Sequence, residues 1–303
     1  MRIAIYGRPN SGDVSIEAVN TLVKKLTSAQ VEIVFYDAFY KFISKKIKIS
    51  SPQTFSSHNE INKRADLLFS IGGDGTLLET VCYIRDSGIP VMGINTGRLG
   101  FIPAVSVDEI EKVVDAVLKK TYSLDKRFLL ELKMKGNYFS DCRYALNDIT
   151  VQKTDSSSMV TIHASINSNF LNSYWADGLI VSTPTGSTAY SMSCGGPIVM
   201  PNSDNFILTP IAPHNLSMRP VVISSNDTVK LEIESRNPNY LISLDSKSES
   251  VPSSITLEIK KADFAISLAK LPGHDFLSTL RNIELEETDV SILNFIFFTH
   301  LSV

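Results

Sequence analysis

The sequence predicts an α/β N-terminal domain with a mostly parallel sheet, joined to an all-β, sandwich-like C-terminal domain. Three observations predict it. The chain has 303 residues, 43% of them hydrophobic, enough for about two domains that each bury a core. Unbroken apolar runs alternate with helical stripes as far as about residue 126. Beyond that point apolar and polar residues alternate with the two-residue period of half-buried strands.

Taken in order, Arg2–Tyr6 is a short apolar run that reads as a first strand. Over Val14–Ser28, the residues Ile16, Val19, Leu22, Val23 and Leu26 share one helical face. Val31–Phe35 is strand-like again, and a polar stretch follows around Ser50–Asn59. Leu67–Ile71 and Pro90–Ile94 are continuous apolar runs of the kind found in strands buried on both faces. A helix between Ser106 and Lys119 is marked by Ser106 and Glu109 as a capping box and by the stripe Ile110, Val113, Val114, Val117 and Leu118. Strands alternating with helices predict a mostly parallel sheet.

The second part differs. Val160–Asn167, Val229–Glu234, Ile255–Lys260 and Phe264–Leu268 alternate, and no helical stripe stands between Leu129 and Ile180. These are signs of antiparallel strands packed as a sandwich. The division expected is 1–126 for the α/β domain and 127–271 for the β domain, with 272–303 returning to the first.

Composition excludes several classes. With 29 basic and 32 acidic residues, the net charge of −3 lacks the excess of Lys and Arg that nucleic-acid binding uses to neutralise phosphates. The first residues run into Gly7 and Pro9 without the apolar region of a signal peptide. The late apolar stretch Ile292–Phe298, broken by Asn294, is far short of the roughly 20 residues that span a bilayer. A protein with neither nucleic-acid nor membrane partners is expected. Cys82, Cys142 and Cys194 are odd in number and scattered, which suits a reducing, cytoplasmic compartment. Five scattered histidines without clustered cysteines or carboxylates speak against a protein-built metal site. Neither G-x-G-x-x-G, nor a Walker loop, nor a G-x-S-x-G elbow is present.

Two segments concentrate chemistry. Gly72-Gly73-Asp74-Gly75-Thr76 follows the buried run Leu67–Ile71, at the carboxyl end of a strand, where open α/β sheets bind ligands. Its glycines let backbone N–H groups approach a phosphate, and a helix start adds a positive end. Asp74 would repel phosphates, so it suggests a base or a cation ligand; the plainer alternative is a helix N-cap. The second segment runs from Asp177-Gly178 to Pro197, with eight hydroxyl side chains between Ser182 and Ser193. Hydroxyls and backbone N–H groups can bond ribose and phosphate oxygens without adding charge. Asn147-Asp148, taken alone, suits a turn. His163 lies on the polar side of an alternating strand, as a surface histidine would.

Together these pieces resemble the NAD kinase family. Gly72–Thr76 is followed by Gly93-Ile94-Asn95-Thr96-Gly97-Arg98-Leu99-Gly100-Phe101, then Asn147-Asp148, then Asp177 to Pro197 with Thr183-Pro184-Thr185-Gly186-Ser187-Thr188-Ala189-Tyr190, then His214 to Arg219-Pro220. Diacylglycerol, sphingosine and 6-phosphofructo kinases share the first piece; the long hydroxyl-rich run is far more specific. The resemblance covers about residues 60–250.

It implies transfer of the γ-phosphoryl group of ATP to the 2′-hydroxyl of the adenosine ribose of NAD, assisted by Mg²⁺, in a homodimer or homotetramer. It also implies roles. Asp74 would accept the hydroxyl proton, with Gly72, Gly73, Gly75, Thr76 and Phe101 around it. Asn147 and Asp148 would bind NAD, and Asp177, Thr188, Ala189, Tyr190, Ser191 and Ser193 would complete the pocket, with Trp175, Ala212 and Lys247 as further contacts. The site would lie in the cleft between the domains. Three departures stand out: Asp245-Ser246-Lys247 where Asp-Gly-Gln is frequent, Trp175 where a basic residue is common, and a tail, Asn282–Val303, beyond the Phe276–Arg281 helix where relatives end. The tail is either an extension without a role or a packing arm for another subunit. Alternatives of other kinds are a lipid kinase sharing the Gly-Gly-Asp-Gly loop and a non-catalytic dinucleotide sensor.

Overall fold

The computed structural model describes residues 1–9, 15–47, 49, 52–62, 64–97, 100–139, 142–154, 159–215, 217–273 and 275–281. Arg98, Leu99 and the tail from Asn282 lie outside the described residues. The first part runs β1 (Arg2–Gly7), α1 (Ile16–Ser28), β2 (Glu32–Tyr36), α2 (Asp37–Ile43), β3 (Gln53–Phe55), α3 (His58–Ile61), β4 (Leu67–Ile71), α4 (Asp74–Ile84), β5 (Val91–Asn95), β6 (Ala104–Ser106) and α5 (Ile110–Lys119). The second runs β7 (Ser123–Lys133), β8 (Tyr144–Ala145), β9 (Asp148–Gln152), β10 (Val160–Ile166), β11 (Asn169–Ala176), β12 (Gly178–Ser182), α6 (Tyr190–Ser193), β13 (Asn205–Ile211), β14 (Val221–Ser224), β15 (Val229–Glu234), β16 (Asn239–Leu244), β17 (Lys247–Pro252) and β18 (Leu257–Lys270).

The first six strands pair in parallel, in the order β6, β5, β4, β1, β2, β3. Helices cover both faces. Val19, Leu22 and Leu26 of α1 and Val113 and Val117 of α5 pack on Ile3, Ile5, Phe69 and Met92. Leu77, Val81 and Ile84 of α4 pack on Ala4, Leu68 and Val91 from the other side. A strand covered on both faces has no polar face to show, which is why β4 and β5 are buried throughout. Their carboxyl ends open at the same edge of the sheet, where Gly72-Gly73 follows β4 and Thr96-Gly97 follows β5.

In the second part, β14-β13-β12-β9-β16-β17 form an antiparallel sheet. It faces β7, β10, β11, β15 and β18 across a core that includes Leu130, Ile162, Tyr174, Leu231 and Ile259 from one side and Ile149, Val181, Phe206, Tyr240 and Ile242 from the other. This is the predicted sandwich. The two parts share one continuous sheet, however. β18 pairs in parallel with β5 at Leu268, and antiparallel with β7 at 258–261 and 265–270 and with β15 at 257–259. The boundary expected near residue 126 therefore falls inside β7, and the change of architecture is made along the β7–β18 ladder without a linker.

Several local expectations are refined. Helix α1 is capped by Ser15, whose Oγ accepts from the Ala18 N–H at 3.2 Å. Ser106 caps a 3-10 turn at Val107–Glu109, accepting from the Asp108 N–H, and α5 begins only at Ile110. The two alternating runs before residue 270 are one strand, β18, broken by an irregularity between Lys261 and Ala265. His163 is satisfied on the surface by Ser173 at 2.8 Å. The cysteines are not independent: Cys82 and Cys142 form a disulfide across 60 residues of sequence, and Cys194 is free. Sequence spacing hid the pair because the two halves of the chain bring it together. Among the described residues no helix is long and apolar enough to cross a membrane.

Candidate functional site

Asp74 is the first residue of α4, and the helix N-cap is Gly73, with no side-chain capping bond. The N-cap alternative for Asp74 is thus removed. Gly72 is anchored through its N–H to the Ile94 carbonyl at 3.0 Å, Gly73 is exposed, and Thr76 is buried. The half-buried Asp74 carboxylate turns toward the loop after β5, where the Ile102 N–H donates to Oδ2 at a long 3.5 Å and the Phe101 N–H also contributes. Burial pushes the carboxyl above the usual carboxylate range, and these two donors only partly oppose it. Gly100 lies against it so closely that a Cβ there would collide with the carboxylate. Arg8, at the end of β1, donates from Nη2 to the Gly75 carbonyl at 3.1 Å and pairs with Glu79 at 2.9 Å. A cation therefore stands beside the glycine loop and the N–H groups of α4.

The opposite wall comes from the antiparallel sheet. Asn147 precedes β9 and Asp148 begins it. Both are fixed by Asp245, at the turn between β16 and β17. Its carboxylate accepts from the N–H groups of Leu146 (2.8 Å), Asn147 (2.8 Å) and Asp148 (3.1 Å). Burial, with the charge of Asp148 behind it, pushes Asp245 up to about 7 against the pull of its three donors. Burial alone pushes Asp148 up to about 6, opposed by the Thr150 hydroxyl at 3.0 Å. The hydroxyl-rich loop is clamped to the same backbone: Thr183 N–H donates to the Asn147 carbonyl at 2.9 Å, Thr183 Oγ1 to the Leu146 carbonyl at 2.6 Å. A Cβ at Gly186 would strike the Asn147 backbone, so the loop can close on Asn147 only with glycine there.

Several of the hydroxyls hold this loop in place. Ser187 Oγ donates to the Pro184 carbonyl, Thr188 Oγ1 to the Thr185 carbonyl, and Ser191 Oγ bonds Thr209. Thr185 Oγ1 accepts from the buried Arg127, itself paired with Asp125 at 2.9 Å. These bonds brace the loop against its own backbone and against the strands beside it.

Between the walls lies a cavity of about 330 Å³ lined by Leu78, Asn147, Asp148, Thr150, Gln152, Ala189, Tyr190, Ser243, Asp245 and Ser246. Leu78 stands one turn after Asp74 on the same face of α4. The cavity thus joins Asn147, Asp148, Ala189 and Tyr190, with Gln152 Nε2 donating to the Tyr190 hydroxyl at 3.0 Å. Thr188 and Ser191 point inward and Ser193 is exposed. Trp175, Asp177 and Ala212 are not brought there. Asp177, ion-paired with Lys153 at 2.7 Å, lies at the far end of β12, five residues and about 16 Å along the strand from Ser182. Trp175 stacks on His214 at 4.1 Å beside Ala212, whose φ is +42°. Lys247 faces a neighbouring cavity, with Nζ 3.1 Å from Cys82 Sγ.

Sequence reasoning missed Asp245 as the organiser of Asn147-Asp148, and Gly100, Gly186 and Leu78 as parts of the site. The signal for Asp245 was present, as the acidic residue of Asp245-Ser246-Lys247. Which backbone it holds follows only from the β9–β16 pairing.

Known proteins share this fold. The family of ATP-NAD kinase N-terminal domains matches residues 9–122, and that of ATP-NAD kinase C-terminal domains matches residues 146–271. An NAD kinase of Cytophaga hutchinsonii is 45% identical over 285 residues, covering 93% of this chain and 97% of its own. One of Bacteroides fragilis is 41% identical over 281 residues, covering 93% and 96%. Among solved structures, yeast NADH kinase complexed with NADH has a TM-score of 0.81 at 25% identity, covering 91% of this chain and 85% of that one. An NAD kinase from Archaeoglobus fulgidus in complex with ATP has a TM-score of 0.71 at 25% identity, covering 90% and 94%.

Proposed function

The chain belongs to the NAD kinase family, and from that premise we propose that it transfers the γ-phosphoryl group of ATP to the 2′-hydroxyl of the adenosine ribose of NAD, with Asp74 as the base. One observation carries the assignment of the base: a carboxylate at the start of α4, freed from capping, held by two weak donors and raised in affinity for a proton. A base so placed takes the hydroxyl proton as the oxygen attacks phosphorus and ADP leaves. Phosphoryl transfer runs through a loose transition state, so positioning and charge neutralisation outweigh full deprotonation. The Gly72–Gly75 backbone, the α4 N-terminus and Arg8 supply positive potential for the phosphates.

NAD would lie in the cavity beside Asn147, Asp148, Ala189 and Tyr190, its ribose turned to Asp74 and flanked by Phe101. The described residues hold no group of three His, Cys, Asp or Glu side chains suited to a metal. The donor set fits an ion that arrives on the ATP phosphates. When bound, Mg²⁺ offsets phosphate charge and the repulsion from Asp74. We extend the proposal to a cytoplasmic homodimer or homotetramer. The distance of Trp175, Asp177 and Ala212 from the cavity of their own chain supports it, since these residues would then serve a second copy. The division into an α/β domain to residue 126 and a β domain to 271, with the following segment back on the first, belongs to the same reading. The helix over 276–281 supports it, lining a cavity with Gly100–Ala104.

The test is incubation with ATP, Mg²⁺ and NAD, followed by an NADP-specific dehydrogenase. NADP is expected. NAD binding without NADP would mean a sensor, and phosphorylation of a lipid instead would mean a lipid kinase.

A further inference from the structure

We propose that Cys82 and Cys142 form a reversible thiol–disulfide exchange site, open to dithiol reductants, that covalently ties the two walls of the cleft and tunes the affinity for NAD. Asp74, Leu78 and Cys82 fall at i, i+4 and i+8 on one face of α4. The same face therefore presents the base, a wall of the cavity and one sulfur. Cys142 lies five residues before Asn147, on the segment that enters β8, against which α4 packs. A small cavity lined by Leu78, Cys82, Cys142, Asp245 and Lys247 connects the bridge to the turn that organises Asn147-Asp148. The bond is the covalent link between a helix of the parallel sheet and a loop of the antiparallel part.

The chemistry of the surroundings suits exchange. The bridge forms part of the wall of an open, polar cavity of about 530 Å³ that also holds His58, Arg85, Lys247 and Glu249. Cys82 is half-buried whereas Cys142 is 5% exposed, so Cys82 Sγ is the sulfur an incoming thiolate reaches. Attack there forms a mixed disulfide and releases Cys142 as a thiolate, which takes a proton. The second thiol of the reagent then attacks its own sulfur in the mixed disulfide, releasing Cys82 and closing the reagent's disulfide. Two electrons pass from the dithiol to the protein. Lys247 Nζ, 3.1 Å from Cys82 Sγ, stabilises the Cys82 thiolate, both as leaving group in that step and as nucleophile when a low-molecular-weight disulfide re-forms the bond. In a reducing compartment, paired cysteines of this kind are exchangeable and sensing more often than structural.

Reduction would also engage Lys247 with a charged sulfur and let α4 move relative to Asn147. The consequence for NAD rests on the proposed site, whereas the exchange itself does not. The full chain is equilibrated in glutathione disulfide or in dithiothreitol, then denatured, and its thiols are counted. One thiol, from Cys194, is expected after oxidation, and all three cysteines after reduction. Three thiols in both states would overturn the exchange site, whether or not the protein makes NADP. The KM for NAD is measured on both forms, and reduction should raise it by about threefold or more with a smaller change in kcat. Cys142→Ser should show the reduced value and ignore dithiothreitol, while Cys194→Ser should keep the response. Equal KM values for oxidised and reduced wild type would overturn the coupling. So would a response that survives in Cys142→Ser or is lost in Cys194→Ser.

Discussion

The two walls of the cleft carry the same functional group to opposite ends. At the α4 wall, the Asp74 carboxylate has one long bond from Ile102 and a contribution from Phe101. At the β9 wall, the Asp245 carboxylate collects three backbone donors between 2.8 and 3.1 Å. A carboxylate with few donors can exchange its partners for a substrate hydroxyl, and one saturated by the backbone cannot. The residue type is the same; the count of donors separates a base from a brace.

The largest effect should come from the base. Asp74→Asn keeps shape and removes the proton acceptor, so kcat should fall by about 10²–10⁴-fold, while NAD binding by equilibrium dialysis stays near that of wild type. Gly100→Ala attacks the same wall by geometry, because its Cβ would displace the carboxylate. A displacement near 1 Å costs roughly 10²-fold in rate, and circular dichroism should show the fold retained. At the other wall, Asp245→Ala strips three N–H groups of their acceptor. Hydrogen bonds to a charged acceptor contribute ~1.5–3 kcal/mol each, so steady-state kinetics should show KM for NAD raised roughly tenfold or more, with kcat less affected.

How much of this was legible in the sequence differs between the same walls. Gly72–Thr76 could be read because it depends on local chain order: a buried strand, a glycine turn and a helix start in succession. The buried runs at Leu67–Ile71 and Pro90–Ile94 and the α1 and α5 stripes were readable for the same reason. The Asp245 brace was not, since it joins positions 97–99 residues apart through the β9–β16 ladder. The hydroxyl-rich run was legible only in part. Composition marked Ser182–Ser193 as a hydroxyl-rich loop, but not the part these side chains play in the fold: Thr183, Ser187 and Thr188 donate to the carbonyls of Leu146, Pro184 and Thr185, because a buried polar group needs a partner. The bridge between Cys82 and Cys142 was hidden likewise, because contact between the two halves creates it.

The smallest effect should appear with acid at the β9 wall. Asp148 and Asp245 are raised from an ordinary 3.8 to about 6 and about 7. Between about pH 4 and 7 the folded state then holds more protons than the unfolded one, so these groups stabilise at low pH and that contribution is lost as pH rises through their folded values. Thermal unfolding scanned over this range should show wild type losing roughly a few degrees relative to Asp245→Asn as pH rises. A parallel pair of curves would remove Asp245 from the explanation.

The most direct test of the division between the walls is NADP formation at varied NAD by Asp74→Asn and Asp245→Ala, side by side with wild type. The prediction is a loss of kcat with KM little changed at Asp74, and a rise in KM with kcat largely kept at Asp245. Near wild-type turnover by Asp74→Asn, with the protein folded and NAD bound, would contradict the account.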